Sequence, residues 1–315
     1  LKENPSDGLF KRQNKKKVNL LVGENKLHKA ITIILFLLPC LAGLVVFNLV
    51  PIIQSAFMSF TDWNMLSPPT FIGPDNFREI FSDESSVKAV INTFRFTIMY
   101  VPIVIVVSLL LATVLDMKLK LVQVYRSLIF IPVLLSWVVV SLLWMWLFNA
   151  DSGLINYLLS MLGIKGPAWL FDKKYAMVAI VIASLWKDMG YFAILLLTGL
   201  QNISDEYYES ASLDGASPVR KFFSITLPLL SPTLFFVIII LTINSLQVFD
   251  QMYVMTKGGP LGSTTTMVME IYNNAFKLNY AGLACAQAWF LVIVTLVLTL
   301  IQNKLQERWV HYETI

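Results

Sequence analysis

Apolar residues in this chain arrive in long runs rather than in alternation. Ile31–Val50 and Phe96–Leu115 are each 20 residues without a charge, Leu128–Phe148 has 21, Phe222–Phe249 has 28 and Ala281–Gln302 has 22. A sixth run, Ala176–Leu200, carries Lys187 and Asp188 in its middle. About 20 apolar residues rise about 30 Å as a helix, which matches the hydrocarbon core of a bilayer. The pattern predicts an all-α, polytopic membrane bundle of about six transmembrane helices. The spans fall near 31–50, 92–115, 124–148, 176–200, 222–249 and 281–302, within a membrane domain at 30–310 that follows a basic tail at 1–29.

Composition supports the same class. Of 315 residues, 57% are hydrophobic and 14% charged, where soluble domains run about 25% charged. The net charge of +4 would suit a nucleic-acid partner only if it were clustered on a folded face. Instead, threading six spans from a cytoplasmic tail puts 15 of the 24 basic residues inside, eight of them at 1–29, and seven outside. That asymmetry is the positive-inside pattern, and it predicts two cytoplasmic termini. The tail then serves as a topology signal and a lipid-headgroup contact, with no nucleic acid involved. A polar leader of 29 residues and the lack of a small-x-small site argue against a cleaved signal. Cys40 and Cys285 sit within apolar runs and read as packing thiols.

Outside the spans, the external loop 61–88 has room for a short helix around Asn76–Phe81. The loops 149–175 and 250–281 carry glycine and proline, including the turn signal Gly258-Gly259-Pro260. No repeat or low-complexity tract is evident. The cytoplasmic loop 201–221 is different, because Ser204 suits an N-cap, Asp205 and Glu206 suit the positive end of a helix, and Gly215 suits a left-handed stop. A helix of about ten residues outside the bilayer is predicted. Asp205, Glu206, Glu209 and Asp214 make it acidic, so anionic lipid would repel it and a protein partner is the better explanation.

Glu209-Ser210-Ala211, then Gly215 after three residues, then Ile225-Thr226-Leu227-Pro228 resembles the EAA loop of ABC import permeases. Gly199-Leu200-Gln201, Asp214-Gly215-Ala216 and Thr256-Lys257-Gly258-Gly259-Pro260 look like the maltose, multiple-sugar and glycerol-phosphate subclass, and the likeness covers roughly residues 30–310. Ser210 stands for the usual second alanine, and Ser204 where many sugar permeases have proline. The resemblance implies a permease subunit that pairs with a second homologous permease, binds two ATPase subunits and receives cargo from an extracytoplasmic solute-binding protein. It also implies that Glu209, Ser210, Ala211, Asp214, Gly215 and Ala216 form the ATPase-coupling surface. Glu209 would face a basic residue, and Ala211 and Gly215 would be small because a neighbouring backbone comes close. The cargo implied is a sugar or oligosaccharide, with glycerol-phosphate esters or polyol derivatives as alternatives.

The chain contains no G-x-x-x-x-G-K-[ST] loop, no HExxH cluster and no G-x-S-x-G elbow. It is therefore read as non-catalytic and without a cofactor of its own, ATP and Mg being used by the partner ATPase. The alternative is an ion-gradient-driven secondary carrier. Such carriers place ionisable residues at the midplane, as Lys187 and Asp188 are placed here. For the substrate pathway, Ser184, Asp188 and Tyr191 share one face of span four, while Asn244 and Gln247 share a face of span five beside Ser245. These groups need partners in an apolar helix, which a sugar's hydroxyls or a neighbouring subunit would supply. By the resemblance, Tyr191, Asn244 and Ser245 fall near the sugar cavity of maltose-type permeases. Trp137 offers a face for a pyranose, and Asp188 is a candidate to pair with the partner permease.

Overall fold

A proline inside a run of apolar residues neither donates to the helix ladder nor tolerates the carbonyl four residues before it. The structure meets that constraint twice in the same way. In the computed structural model, which describes residues 26–117 and 120–310, wide π turns at Val45–Leu49 and Phe222–Thr226 directly precede Val50-Pro51 and Leu227-Pro228. There the Val50 and Leu227 amides reach back to the Val45 and Phe222 carbonyls, re-spacing the carbonyls that the proline rings would meet. Residues 1–25 of the predicted tail lie outside the described residues, and its last four, 26–29, already belong to the first helix.

The chain divides into two units, one ending at Phe57 and the other beginning at Met58. The first contains α1 (Lys26–Leu44), the π turn and all but the last residue of α2 (Val50–Met58). In the second, β1 (Thr61–Asp62) pairs antiparallel with β2 (Thr70–Phe71), Thr61 opposite Phe71. The amphipathic α3 (Asp75–Ser82) follows where a short helix is expected, and its buried Asn76 donates to the Ser59 and Thr61 carbonyls at 2.9 Å. Asp83 then caps α4 (Glu84–Asp116) by accepting from the Ser86 amide at 2.8 Å. A Ser85 hydroxyl bond to the Asp83 carboxylate holds its pKa below the usual carboxylate range.

Helix α4 has 33 residues, longer than the predicted span and about 50 Å at helical rise. Its buried positions Phe96, Tyr100, Val104, Ser108, Ala112 and Leu115 recur at three- and four-residue spacing, forming one stripe. That stripe packs on α8 (Ala176–Gln201), the most buried of the long helices, and the two make the centre of the core. The Ser108 hydroxyl donates to the Met189 carbonyl at 3.1 Å across this seam.

The predicted span 124–148 is not one straight helix. It is α5 (Val122–Leu134) and α6 (Trp137–Leu147), bent by 98° at Leu135-Ser136. Pro132 near the end of α5 and the Ser136 cap on α6, which accepts from the Val139 amide at 3.4 Å, end one helix and start the next. After α6 come α7 (Leu154–Met161), then α8, the short α9 (Asp205–Leu213) and α10 (Pro218–Lys221). Next, α11 (Leu227–Leu246) stops three residues short of the predicted span end. The stretch 250–281, read as a loop, holds α12 (Asp250–Thr256) and α13 (Met267–Phe276) around the Gly258-Gly259-Pro260 turn, and α14 (Ala281–Gln306) closes the chain. Among the described residues, five stretches are long and apolar enough to cross a membrane: Ile33–Met58, Glu84–Asp116, Ala176–Gln201, Pro218–Leu246 and Ala281–Gln306. Counting the bent α5–α6 pair as one more gives six.

Candidate functional site

Two broken helices meet in the second unit. Helix α11 ends at Leu246 and α12 restarts at Asp250, and α12 packs against α6, the second half of the bent pair. Interrupted helices at membrane depth are tolerated where the freed backbone is buried in protein or lines a cavity. A cavity of about 330 Å³ opens here. Its wall includes Tyr100, the seventeenth of 33 residues of α4, and Asp188, the thirteenth of 26 of α8. It therefore sits halfway along both helices.

Each neighbouring element gives this cavity a distinct group. Helix α4 presents Phe96 and Tyr100, stacked with ring centroids 5.0 Å apart and planes at 12°. The Tyr100 hydroxyl donates to Asp188 Oδ2 at 2.5 Å. Asp188, expected as a candidate to pair with another subunit, thus has its partner within the chain. From the start of α6 comes Trp137. Asn244 and Ser245 come from the last turn of α11, and Gln247 from the residue that caps it, whose amide bonds to the Ile243 carbonyl at 3.3 Å, so Asn244 and Gln247 both reach the cavity. The Ser245 hydroxyl is engaged with the Thr242 carbonyl at 2.8 Å. By contrast, Asn244 and Gln247 are exposed and their amides have no side-chain bond among the described residues. Helix α12 adds Asp250 and Gln251, and Gln251 is held by a 3.3 Å bond to the Ser184 hydroxyl.

Of the predicted pathway residues, Trp137, Asp188, Asn244, Ser245 and Gln247 line this one cavity. Tyr191 does not: it lies nearly a turn beyond Asp188, 39% exposed, with its ring against Phe192. Sequence reading missed Tyr100, Phe249, Asp250 and Gln251. Tyr100 had one signal, a phenol in a 20-residue apolar run. The others depend on where α11 breaks.

Lys187, next to Asp188, turns the other way. Its Nζ donates to the Val133 carbonyl at 3.1 Å and lies 4.9 Å from the centroid of the Trp137 ring. Val133 O is one of the last carbonyls of α5, which a helix leaves without partners. A cation there suits the negative end of the helix dipole.

A second arrangement lies in the loop between α8 and α11. Ser204 caps α9, accepting from the Glu206 amide at 3.3 Å. At the other end Gly215 has φ +74°, its amide bonds to the Ser212 carbonyl at 3.1 Å, and the Ala216 amide reaches Ala211 at 2.9 Å. That pair of bonds is a Schellman stop. Glu209, Ser210 and Asp214 are exposed, Ala211 and Ala216 half-buried. Within this chain a Cβ at Gly215 would meet nothing within 4 Å. Positive φ is the physical reason for glycine. Two contacts tie α9 to α10 and the Phe222–Thr226 π turn, which run on into α11: Tyr208 and Thr226 hydroxyls at 3.0 Å, and Lys221 Nζ to Ser212 Oγ at 2.5 Å. Leu213 is 90% and Val219 67% exposed, leaving apolar side chains beside the acidic ones.

Comparison with known proteins places these features in a family context. Residues 80–311 match the family described as binding-protein-dependent transport system inner membrane component. A probable ABC transporter permease protein of Bacillus subtilis, YesP, is 34% identical over 89% of this chain and 91% of its own length. The trehalose/maltose transport system permease protein MalF of Thermococcus litoralis is 33% identical over 91% and 97%. The sn-glycerol-3-phosphate transport system permease protein UgpA of Yersinia enterocolitica is 35% identical over 89% and 95%. Among solved structures, a chain of a bacterial ABC transporter involved in alginate import has a TM-score of 0.79 at 24% identity, covering 90% of this chain and 99% of that one.

Proposed function

The chain belongs to the family of binding-protein-dependent transport inner membrane components, and from that premise we propose that it is the permease subunit of an ABC importer for a sugar or oligosaccharide. The ion-gradient carrier weighed from the sequence gives way, because the family is one of binding-protein-dependent transport. The mid-span cavity forms half of the pathway, and a second homologous permease supplies the other half. Cargo arrives from an extracytoplasmic binding protein, related permeases being named for trehalose/maltose and glycerol-3-phosphate. The membrane is bacterial and both termini are cytoplasmic, the side on which the basic residues gather.

The observation that carries this reading is α9, an exposed, doubly capped acidic helix bonded to the α10 and π-turn segment that runs on into α11. The last turn of α11 places Asn244 and Ser245 in the cavity wall. Movement of α9 is therefore passed along one helix to the pathway. ATP and Mg act in two partner ATPase subunits, whose closure would shift the spans between inward- and outward-open states. Glu209, Ser210, Ala211, Asp214, Gly215 and Ala216 form the docked face, with Glu209 paired to a basic residue of the ATPase.

Glu209→Gln tests this. A buried, hydrogen-bonded partner pair broken on one side costs about 3–5 kcal/mol, whereas an exposed one costs about 1 or less. The variant should insert normally yet lose co-purifying ATPase and substrate-stimulated hydrolysis in proteoliposomes. Wild-type coupling in Glu209→Gln would make α9 a mere connector and sink the reading.

A further inference from the structure

Resting on the assignment of the mid-span cavity as half of a sugar pathway, we propose that the cavity selects its cargo by charge, admitting uncharged and amine-bearing carbohydrate and rejecting anionic, phosphorylated or uronic sugars. The charged groups of its wall are two carboxylates, Asp188 and Asp250, and no basic side chain lines it among the described residues. The basic residues nearest in sequence are directed elsewhere. Arg95 is exposed outside the wall, and Lys187, the nearest cation, is not itself in the wall: its Nζ is bonded to Val133 O at 3.1 Å and lies 4.9 Å from the centre of the ring of the wall residue Trp137.

The rest of the wall suits hydroxyl-rich, uncharged cargo. Asn244 and Gln247 each offer a donor and an acceptor. Trp137, half-buried in the wall, offers an apolar ring for the C–H side of a sugar, while Phe96, 1% exposed and stacked on Tyr100, backs the wall. A phosphate or uronate would need charge-assisted donors, yet the strongest donor present, the Tyr100 hydroxyl, is already given to Asp188 at 2.5 Å. At about 6 Å and an effective dielectric of about 20, each carboxylate opposes an anion by a factor on the order of a hundred. Screening by water and salt in an open cavity lowers this, and the Lys187 charge beside Trp137 offsets part of the Asp188 contribution, so that about tenfold discrimination is the expectation.

The test isolates the permease from the binding protein's own selectivity. The complete importer complex, without binding protein, is placed in nanodiscs and titrated with glucose, glucosamine and glucuronate, which share a ring and differ in charge. Binding is read by saturation-transfer NMR. Glucose and glucosamine should bind, and glucuronate should bind about tenfold more weakly. In Asp250→Asn, whose exposed side chain makes folding safe, and in Asp188→Asn, which keeps an acceptor for Tyr100, glucuronate should recover at least threefold against glucose. Equal binding of glucuronate and glucose by the wild type, or no recovery in either variant, overturns charge selection while leaving the sugar pathway standing. Failure of all three sugars to bind removes the pathway assignment itself.

Discussion

The Lys187 ammonium rests 3.1 Å from the carbonyl oxygen of Val133, a charge only 7% exposed in the middle of a membrane helix, spent on one backbone acceptor. Such a residue costs about 2.5–3.5 kcal/mol at bilayer centre on insertion scales. What it gains is position. It satisfies a carbonyl at the end of α5 and covers the face of Trp137, the first residue of α6, so it bridges the 98° break.

Replacing Lys187 by Met tests that role. The unsatisfied Val133 carbonyl costs about 1–3 kcal/mol, but removing the buried charge returns a desolvation penalty of similar size. The complex should therefore assemble with a melting temperature close to wild type. The break itself should loosen, raising thiol labelling of a Ser136→Cys reporter severalfold and lowering sugar uptake. Unchanged labelling would show that the break is held by packing alone.

The Tyr100–Asp188 bond gives a cleaner energetic prediction. Tyr100 is 4% exposed, and Tyr100→Phe changes little besides the hydroxyl. A buried carboxylate deprived of its donor costs about 1–3 kcal/mol. Combined with Asp188→Asn in a double-mutant cycle on thermal unfolding, the pair should show a coupling of about 1 kcal/mol or more. Additive effects would mean that the two side chains act independently.

Small residues at helix contacts should separate by what they touch. A Cβ on Gly190 would collide with the backbone carbonyl of Ile129 in α5, which cannot yield without moving the helix. On Gly199 it would meet side-chain atoms of α11, Thr233 Oγ1 at 2.6 Å and Leu230 Cδ1 at 2.7 Å. Overpacking costs about 1–3 kcal/mol, offset by about 1 kcal/mol of helix propensity gained by alanine. Gly190→Ala should lose assembled complex, whereas Gly199→Ala should retain most of it, as size-exclusion yield would record. Equal losses would refute the distinction.

The spans were legible in the sequence because an uninterrupted apolar run has one stable solution in a bilayer. The caps of α9 were legible too, since Ser204 and Gly215 act locally. The kink at Leu135-Ser136 and the end of α11 at Leu246 were not. Pro132 and Ser136 stand at the first place and Asn244, Ser245 and Gln247 at the second, but no charge marks either. Isolated polar residues and a proline also occur inside unbroken spans such as α4, so the breaks show only where α12 packs on α6. Asp250 and Gln251 therefore read as loop residues although they belong to the cavity. Lys187 and Asp188 were conspicuous as a pair, but their opposite partners, Val133 O and Tyr100, lie 54 and 88 residues away in the chain.

Gly215 separates a backbone requirement from a spatial one. Its φ of +74° ends α9, and open space surrounds the place of a side chain. If conformation is what matters, Gly215→Asn should be nearly harmless, because asparagine visits the left-handed region readily. Gly215→Ala should cost about 1–2 kcal/mol at the helix stop, seen as roughly tenfold weaker retention of the ATPase. Gly215→Pro should abolish retention, since proline fixes φ near −65° and removes the amide that bonds to Ser212. All three lie outside the spans and should leave insertion unchanged. Quantitative co-purification of the ATPase with each variant reads the order directly. Asparagine as damaging as proline would show that a docked partner needs the space over Gly215, and that close approach across an interface, rather than the turn, keeps glycine there.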